Sequence, residues 1–456
     1  EETDMVTTVL FKELAQDVRR TVTYLQSTIP DAKGKKVCLL SKNSYEYVVN
    51  TFGAIMAGCV LVPMNQRKSW DELHRELELV EPSAILTDGD DYGCNEEMQA
   101  AYGSLLRPMD AYKAYEPAEL VNRIQPEELM VLMFTSGTTG RSKGVMLSQK
   151  NLFTAMPAFL TPFEDVRSQT GWNTDAFSSL SCLPMFHISA MTSLVSWSVT
   201  GHCVNLCNDL KYFYRDLGAM RSDVMAVVPV LLKSIYHDVM KGKRERLNGL
   251  RVLTCGAAMF DPAVLQDLME RGFFIAQMYG LTETCGDGAW NSSQEEKYLT
   301  SVGHVDDSCQ YKLEDGELCM RGDPVMLGYY KDPEATAEVL DAEGWFHTGD
   351  IARVEPDGYM YLTGRKKNVI ILGSGENVSP EELEKLLAPC AAIRECMVCE
   401  RNQRICAVVC CEADQQDAVR DFVTKVNRTL PLYKHMMVEF SAQPLPRNAA
   451  GKLLRS

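Results

Sequence analysis

The chain has 456 residues, of which 46% are hydrophobic and 24% are charged, as is typical of globular proteins. One core rarely serves so long a chain, so we expect a large domain and at least one more. The formal net charge of −16 argues against nucleic acid or an anionic membrane as the partner. It leaves room for a local basic pocket that binds a phosphate ligand.

Sixteen cysteines are spread irregularly along the chain, which is untypical of a disulfide-rich scaffold. Cys396 and Cys399 form a CxxC pair that could be half of a zinc site. No histidine lies nearby at ligand spacing, so we favour two apolar strands with buried thiols on either side of residues 401–403. Reduced thiols predict a cytoplasmic protein. The first residues lack a signal peptide's basic start and apolar core, and no apolar run predicts a membrane span.

Short apolar runs alternate with amphipathic segments through most of the chain. The pattern predicts helices over residues 44–57 and 70–80, and strands over residues 37–40, 60–63, 84–87, 130–134, 178–183, 224–228 and 251–254. This alternation predicts an α/β fold with largely parallel sheets. Ligands of such sheets collect at the carboxyl ends of the strands, so we expect the chemistry in the loops that follow them.

The pattern changes near Gly364, where strands with Gly-rich turns give way to a basic cluster and a glycine loop. We therefore predict a large N-terminal domain over residues 1–364, with parallel-rich sheets, flanking helices and a β-subdomain. A small α+β domain over residues 365–456 follows it. Its first helix is marked by Ser379 as the N-cap, Pro380 in the first turn and Glu382 closing a capping box.

The clearest chemical signal directly follows the strand predicted at residues 130–134. The chain there reads Thr135-Ser136-Gly137-Thr138-Thr139-Gly140-Arg141-Ser142-Lys143-Gly144. Three glycines let the backbone approach a phosphate, while amides, hydroxyls and the Lys143 ammonium can donate to its oxygens. The loop lacks the Gly-Lys-Ser/Thr ending of a Walker A motif. Taken alone, it would also suit a flexible surface loop.

Residues 135–145 closely resemble the phosphate-loop signature of the adenylate-forming superfamily, which includes the AMP-dependent acyl-CoA synthetases and ligases. Further signatures of that superfamily follow in the expected order. They are Leu183-Pro184-Met185-Phe186-His187, Tyr279-Gly280-Leu281-Thr282-Glu283, Trp345-Phe346-His347-Thr348-Gly349-Asp350, Gly364-Arg365-Lys366-Lys367 and Pro446-Arg447-Asn448-Ala449-Ala450-Gly451-Lys452. The resemblance covers nearly the whole chain and implies the superfamily's fold, with a small mobile C-terminal domain.

The resemblance implies a site for ATP and magnesium. Glu283, together with Thr138, is the implied magnesium ligand, because a hard cation needs oxygen donors. Thr282 is expected to contact the α-phosphate. The triphosphate is expected to lie against Thr135, Ser136, Gly137, Thr138, Thr139, Gly140 and Lys143.

The nucleoside is expected to contact three further segments. Tyr279 is implied to stack on adenine beside Gly280. Asp350 is the implied ribose ligand, since a carboxylate can accept from both hydroxyls, and Arg365 touches the ribose or the phosphates. The adenine and acyl pockets are implied to be lined by Gly256, Ala257 and Ala258, although Cys255 stands where the family often has glycine.

Two residues carry the implied catalysis together with Thr282. Lys452 resembles the lysine that offsets the repulsion between the attacking carboxylate and the α-phosphate. His187 is implied to lie beside the substrate carboxylate, and a histidine there argues against an α-amino acid as the substrate. Lys367 resembles a hinge about which the C-terminal domain rotates. The loop Gly373-Ser374-Gly375 would then pass close to the pantetheine arm of CoA.

The resemblance leaves the acid open among fatty, aliphatic and aryl classes. Its pocket is implied among residues 172–173, 187–192, 228–231, 255–258 and 280–290. Gly280 is expected to keep the pocket floor open to a ring or an alkyl chain. Asp287 is interpreted either as a contact for a polar or cationic tail or as a residue that faces water.

The implied reaction makes an acyl-adenylate and pyrophosphate from the acid and ATP, then an acyl-CoA and AMP. Transfer to the pantetheine of an acyl or peptidyl carrier protein is the alternative. The absence of an insertion near residues 355–368 favours CoA. A non-catalytic nucleotide-binding partner protein is less favoured, because degenerate members usually lose some of the residues retained here: Lys143, Thr282, Glu283, Asp350, Arg365 and Lys452.

Overall fold

The structure is a computed structural model that describes residues 6–119, 125–135, 142–256, 260–371, 377–401, 404–447 and 453. The chain folds into two compact units. The first is Glu1–Gln310 with Arg321–Phe346, and the second is Tyr311–Met320 with His347–Ser456. The predicted boundary between residues 364 and 365 falls inside the second unit and stays a prediction.

The strands of the described residues are β1 (Lys36–Leu40), β2 (Val60–Pro63), β3 (Ala84–Thr87), β4 (Leu106–Pro108), β5 (Leu129–Thr135), β6 (Lys143–Ser148), β7 (Ser178–Ser181), β8 (Cys203–Leu206), β9 (Val224–Val227), β10 (Val252–Cys255), β11 (Phe274–Gly280), β12 (Gly288–Asn291), β13 (His304–Val305), β14 (Cys309–Glu314), β15 (Glu317–Gly322), β16 (Gly328–Tyr329), β17 (Phe346–Val354), β18 (Met360–Arg365), β19 (Ile370–Ile371), β20 (Asn377–Val378), β21 (Glu395–Arg401), β22 (Arg404–Cys410) and β23 (Met436–Ser441).

The α-helices are α1 (Phe11–Thr28), α2 (Tyr45–Met56), α3 (Trp70–Val80), α4 (Asn95–Tyr102), α5 (Gln149–Ala155), α6 (Thr161–Thr170), α7 (Ile188–Val199), α8 (Phe213–Ala219), α9 (Pro229–Met240), α10 (Pro262–Glu270), α11 (Pro333–Val339), α12 (Pro380–Leu387) and α13 (Gln416–Asn427). In the part of the chain that the structure describes, none of them is both long and apolar enough to cross a bilayer.

The first sheet runs in the order β16-β6-β5-β2-β1-β3-β4. Strands β4, β3, β1, β2 and β5 are parallel to their neighbours, and β6 and β16 are antiparallel additions. The helix α2 begins where the Ser44 side chain accepts a hydrogen bond from Tyr47 N, and it is followed by Gly58 at φ 82°. The sheet buries a core of strand and helix side chains that includes Val37, Leu61 and Met130.

The second sheet runs in the order β13-β12-β11-β10-β9-β7-β8. Strands β7 to β11 pair in parallel, and β12 and β13 pair antiparallel. The carboxyl ends of β10 and β11 therefore open at one edge, as the α/β pattern predicts. The predicted α/β class with largely parallel sheets is confirmed.

The second unit contains smaller sheets. One has the order β14-β15-β17-β18, another pairs β19 with β20, and the third has the order β21-β22-β23. Helices α12 and α13 supply Leu383, Leu387, Val419 and Val423 to a core shared with β22. Sheets and helices in this unit agree with the predicted α+β character of the C-terminal part.

The two predicted cysteine strands form the hairpin β21–β22, in which Cys399 lies opposite Cys406. Among the described residues, the side chains close enough to share a metal ion are Glu314, Cys319 and His347, and the CxxC pair is not among them. All sixteen cysteines are free thiols. The strand interpretation of Cys396 and Cys399 therefore agrees with the structure better than the zinc hypothesis.

The predicted capping box of α12 is half wrong. Ser379 is the N-cap, and its hydroxyl accepts a hydrogen bond from Glu382 N at 3.4 Å. The Glu382 carboxylate, however, accepts from Lys434 Nζ at 2.8 Å instead of turning back to the cap. The sequence could not show this, because Lys434 reaches the helix only in the folded unit.

Candidate active site

The phosphate loop predicted from the sequence spans the gap between two antiparallel strands. Thr135 ends β5 and Lys143 begins β6, and the two residues lie opposite each other in the ladder. The Thr135 hydroxyl donates to Lys143 O at 3.5 Å. The strand β5 is thus followed by a hairpin partner rather than by a helix. The predicted residues Ser136, Gly137, Thr138, Thr139 and Gly140 lie outside the described residues.

Lys143, Tyr329 and Glu283 form a connected group at the start of β6. The Lys143 ammonium lies over the Tyr329 ring, 4.6 Å from its centroid, and the Tyr329 hydroxyl donates to Glu283 Oε1 at 2.9 Å. The strand β16, which carries Tyr329, pairs with β6, which carries Lys143. Burial and the nearby Glu283 carboxylate raise the pKa of Tyr329 well above its usual value, so its hydroxyl stays a donor.

The sequence did not single out Tyr329. Its segment, Gly328-Tyr329-Tyr330, carries no charge and reads as a short apolar piece. The strand is fixed by contacts between distant residues, among them Leu327 N to Met146 O at 2.9 Å and Tyr330 N to Gly144 O at 2.7 Å. Met326 N also donates to Glu283 O at 2.8 Å, which ties the two parts of the group together.

A buried ion pair holds the far end of the phosphate loop. The Lys68 ammonium bonds to the Glu76 carboxylate and donates to Ser142 Oγ at 3.2 Å. Both side chains are less than a tenth exposed. Burial raises the pKa of Glu76, although the Lys68 charge opposes that shift. Sequence analysis missed this pair because Lys68 and Ser142 meet only through the tertiary fold.

The end of β11 positions the predicted adenine and magnesium residues. Tyr279 is buried and pairs with Ala289 of β12. A Cβ at Gly280 would lie 2.1 Å from Gly286 O, so close approach of the backbone requires glycine there. Thr282 and Glu283 follow in a single 3₁₀ turn. The backbone thus gives its own reason for glycine at this position, and the open pocket floor stays a prediction.

Asp287 is buried, so the predicted orientation towards water is wrong, whereas its predicted contact with a polar or cationic tail stays a prediction. Its carboxylate accepts from Ser308 Oγ at 2.5 Å and from Gly288 N at 2.6 Å. Burial raises the pKa of this carboxyl to about 7, although the hydrogen bond from Ser308 opposes the shift. The side chain therefore does not face water, and its hydrogen bonds are made within the protein.

The predicted pocket segment after β10 is described only at its start. Gly256 follows the buried Cys255, and a Cβ at Gly256 would meet Met278 O at 3.6 Å, an ordinary contact. Ala257 and Ala258 lie outside the described residues. The Cys255 thiol has its pKa raised by burial, so it is an inert part of the core.

His187 is the N-cap residue of α7, and its side chain is exposed. The side-chain amide of Asn43 fixes the segment that precedes His187. The amide nitrogen of Asn43 donates to Leu183 O at 2.9 Å, and its oxygen accepts from Met185 N at 3.0 Å. His187 N donates to Pro184 O at 3.0 Å, which closes the turn before the helix. Asn43 therefore positions the segment before His187, a role that the sequence did not reveal.

Asp350 and Arg365 come together in the second unit as partners in the β17–β18 ladder. Arg365 Nε lies 2.7 Å from Asp350 Oδ1, and its Nη1 donates to Thr348 O at 3.1 Å. Asp350 is buried, and Asp350 N donates to Thr348 Oγ1 at 3.0 Å. The two predicted ribose residues thus form one ion pair with a fixed orientation.

The basic cluster after Arg365 is partly engaged within the same unit. Lys366 Nζ donates to Glu317 Oε2 at 2.7 Å, and Gly349 N donates to Glu317 Oε1 at 3.0 Å. Although burial opposes it, these hydrogen bonds lower the pKa of Glu317. Lys367 lies in the 3₁₀ turn Lys366–Asn368 and is exposed. The predicted residues Gly373, Ser374, Gly375 and Lys452 lie outside the described residues.

The structure therefore brings the predicted site residues together in two groups. Thr135, Lys143, Thr282 and Glu283 lie in the first unit near the end of β5 and the start of β6, joined by Tyr329. Asp350 and Arg365 form the group in the second unit. Both groups combine fixed cations and carboxylates, which suits a ligand that carries phosphates and hydroxyls.

A nucleotide-binding α/β enzyme is the class that this fold and these groups define. The family model described as AMP-binding enzyme matches residues 4–330. The chain belongs to this family of AMP-binding enzymes, and the predicted superfamily is confirmed.

Two relatives align over most of their length. A 2-succinylbenzoate–CoA ligase from Bacillus cereus is 27% identical over 468 residues, covering 98% of this chain and 92% of the relative. A long-chain-fatty-acid–CoA ligase, FadD13 from Mycobacterium tuberculosis, is 28% identical over 457 residues, covering 93% of this chain and 88% of the relative.

A solved structure also shares the fold. The o-succinylbenzoate CoA synthetase (MenE) from Bacillus subtilis, in complex with the acyl-adenylate intermediate OSB-AMP, is similar at a TM-score of 0.83 and 25% identity. That match covers 98% of this chain and 93% of that chain. The same synthetase in complex with ATP and a magnesium ion matches at a TM-score of 0.78 and 25% identity, covering 98% of this chain and 94% of that chain.

Proposed function

We propose that this chain is an AMP-forming acid–thiol ligase that joins a carboxylic acid to CoA at the expense of ATP. Its family membership and the Lys143–Tyr329–Glu283 group beside the phosphate loop carry the proposal. In the first step an oxygen of the acid attacks the α-phosphorus, and the bond to the bridging oxygen breaks. Acyl-AMP and pyrophosphate result. In the second step the CoA sulfur attacks the acyl carbon, the thiol proton is released and AMP leaves.

The residues of the first unit fit a magnesium–triphosphate ligand. The Tyr329 hydroxyl donates to Glu283 Oε1 and so fixes the orientation of this carboxylate. A carboxylate is the kind of oxygen ligand that a hard cation prefers. Magnesium bound there, with Thr138 as the second proposed ligand, would neutralise phosphate charge. Lys143 would contact the same phosphates, and the amides and hydroxyls of residues 135–140 would donate to their oxygens. Thr282 would contact the α-phosphate.

The remaining nucleotide contacts follow the predicted roles. Asp350 would accept from the ribose hydroxyls while Arg365 holds its orientation, which the 2.7 Å ion pair supports. Tyr279, Gly280, Gly256, Ala257 and Ala258 would line the adenine side. His187, exposed at the start of α7, would lie beside the acid's carboxylate, supported by the Asn43 hydrogen bonds.

The C-terminal part would supply the moving groups. We assign Lys452 to the charge that develops on the bridging oxygen during adenylate formation. Residues 365–456 would then rotate about Lys367 and bring Gly373, Ser374 and Gly375 towards the pantetheine arm of CoA. We further propose a cytoplasmic protein, because all sixteen cysteines are free thiols, as expected in a reducing compartment.

The test is release of pyrophosphate and AMP from ATP, with a panel of aliphatic, aryl and amino acids, each with and without CoA. Pyrophosphate with an acid, and acyl-CoA with AMP only when CoA is added, is the expected result. Pyrophosphate with an acid, but no acyl-CoA when CoA is added, would move the acceptor to a carrier-protein pantetheine. A chain that binds ATP but gives no pyrophosphate with any acid would overturn the proposal in favour of a non-catalytic binding protein.

A further inference from the structure

An apolar cavity lies inside the first unit, between α7 and the face of the second sheet. It has a volume of about 50 Å³. That is several times the roughly 10–15 Å³ that a single water requires. Six strands of the sheet contribute to its floor, from β8 at one side to β12 at the other. The cavity therefore runs across the sheet rather than forming a surface dent.

The cavity continues inward from residues that we place at the reacting carboxylate. His187, Ala190, Leu194 and Trp197 recur at helical spacing on one face of α7, and the last three line the cavity. The face of the helix that begins at His187 therefore extends along the cavity.

The strands of the second sheet also place the cavity next to the predicted site. Thr254 and Met278 line the cavity, each two residues before a glycine of the predicted site, Gly256 and Gly280. Met278 and Gly280 both belong to β11, and because positions on a strand alternate between faces, these two share one face of the sheet. The cavity thus lies on the face of the sheet that carries Gly280, two residues along the chain before the predicted site glycines. Of the segments predicted to form the acyl pocket, residues 187–192 and 280–290 contribute to it, whereas Trp172 lines a separate cavity.

None of the described residues that line the cavity is charged. Its polar groups are the hydroxyls of serines and of Thr254, and the rest of the lining is aliphatic, aromatic or sulfur-bearing. A carboxylate or ammonium placed there would lose its hydration without gaining an opposite charge, which costs far more than burying an apolar group. The chemistry of the lining therefore selects against a second charge on the acid.

Two aromatic side chains contact each other in the lining of the cavity. The rings of Phe159 and Trp290 meet edge to face, with centroids 5.8 Å apart and planes at 85°. Phe159 also reaches the turn after β11, since its Cζ would lie 3.2 Å from a Cβ at Gly286. Both rings are less than a tenth exposed and line the cavity. A larger tail placed against these rings would have to displace one of them.

We infer that the acid substrate is a monocarboxylic acid with a compact, uncharged apolar tail, and that Phe159 and Trp290 set the limit on tail length. This inference rests on the proposed ligase function and names its substrate class. It separates this chain from ligases whose acid carries a second carboxylate.

The experiment measures acid-dependent pyrophosphate release at saturating ATP for matched pairs of acids. Hexanoate is compared with adipate, and benzoate with 1,4-benzenedicarboxylate, alongside a series of straight-chain monocarboxylates. The monocarboxylate of each pair is expected to have a kcat/KM at least about 100-fold higher, because its partner must bury a charge. A dicarboxylate as the preferred acid would overturn the inference while leaving the ligase function intact. No pyrophosphate with any acid would instead count against the ligase function itself.

The tail limit is tested with Phe159→Ala and Trp290→Ala. Each is expected to move the best straight-chain acid to a tail at least two carbons longer, with KM changing more than kcat. Phe159→Leu and Trp290→Phe are smaller changes that keep the test valid if a full truncation does not fold. The control is Phe153→Ala, which removes an exposed phenyl ring outside the cavity and should leave the preference unchanged. An unchanged preferred length in all the folded cavity variants would refute the role of the two rings.

Discussion

The two groups of site residues, one in each unit, hold their carboxylates in different ways. In the first unit a neutral tyrosine lies between the charges, because Glu283 accepts from the Tyr329 hydroxyl while Lys143 lies over its ring. In the second unit Asp350 contacts the Arg365 guanidinium directly at 2.7 Å. The first arrangement orients a carboxylate without cancelling its charge, which suits a cation ligand. The second neutralises its carboxylate in advance, which suits hydroxyl groups.

The largest effect is expected when the charge in the first group is removed. Glu283→Gln keeps an acceptor for the Tyr329 hydroxyl but loses the negative charge that we propose binds magnesium. Adenylate formation should fall by about 100-fold or more, as when other fixed electrostatic groups are removed from active sites. Isotope exchange between ATP and pyrophosphate measures this step without the second one.

The matched control for that change is Glu343→Gln, which alters an exposed carboxylate of the same unit. It should keep the parental exchange rate within about twofold, since surface substitutions away from a site are usually neutral. Parental exchange by Glu283→Gln across a range of magnesium concentrations would break the comparison, because the carboxylate would then serve only the fold.

The second group should respond more weakly and as a coupled pair. Asp350→Asn leaves the Arg365 guanidinium without its anionic partner, so we expect the KM for ATP to rise about tenfold, with a smaller change in kcat. Arg365→Gln should have an effect of similar size. The double variant should cost less than the sum of the two, with a coupling of about 1 kcal/mol, as for residues in direct contact.

Calorimetric titration with AMP measures the nucleotide affinity of the parent, the two single variants and the double variant without turnover. Strict additivity of the two single changes would show that the ion pair does not act as a unit in nucleotide binding. A large loss of kcat with unchanged AMP affinity would place Asp350 in the chemistry instead of in ribose binding.

The last prediction concerns stability instead of activity, at a third carboxylate, Asp287, which is buried and bonded to uncharged donors. Burial raises its carboxyl pKa to about 7, compared with about 3.9 in an unfolded chain. Between these values the native state holds a proton that the unfolded state releases. Its contribution to the free energy of unfolding therefore falls as the pH rises from about 4 to about 7, and is constant on either side.

Asp287→Asn should remove that contribution to the pH dependence. Urea unfolding of both proteins between pH 4.5 and 8 should show the parent losing its advantage over the variant by a few kcal/mol, on the order expected for a shift of this size. The exposed Asp307, changed to asparagine, serves as the control. A constant difference between parent and Asp287→Asn across the range would show that the carboxyl does not titrate there.

Much of the fold was predictable because its signals are local. The strand β3 and the helix α3 begin and end at the predicted residues, and β1, β2 and β9 differ by a residue at most at each end. Periodicity and caps are properties of neighbouring residues, so the sequence carries them directly. The order of strands within each sheet, however, depends on contacts between segments far apart in the chain.

The same distinction explains what was missed in the candidate site. Lys143, Glu283, Asp350 and Arg365 stand in recognisable motifs, so their positions could be predicted. Tyr329 has no such motif, and its role follows from the pairing of β16 with β6. Lys68 and Asn43 likewise act across the fold. Glu382 shows the opposite error, since a correct local cap pattern lost its carboxylate to the distant Lys434.

The pairing of β16 with β6 has a consequence for biosynthesis. The residues on either side of the phosphate loop are made early, whereas Tyr329 emerges only after all the strands before β16 in both large sheets. Contacts so far apart in sequence form slowly and late. A nascent chain that has not yet reached residue 329 would therefore lack the partner of Glu283, and productive nucleotide capture would have to await nearly the whole first unit. Ribosome-bound intermediates would accordingly hold most of this enzyme's framework before they gained its ligand affinity.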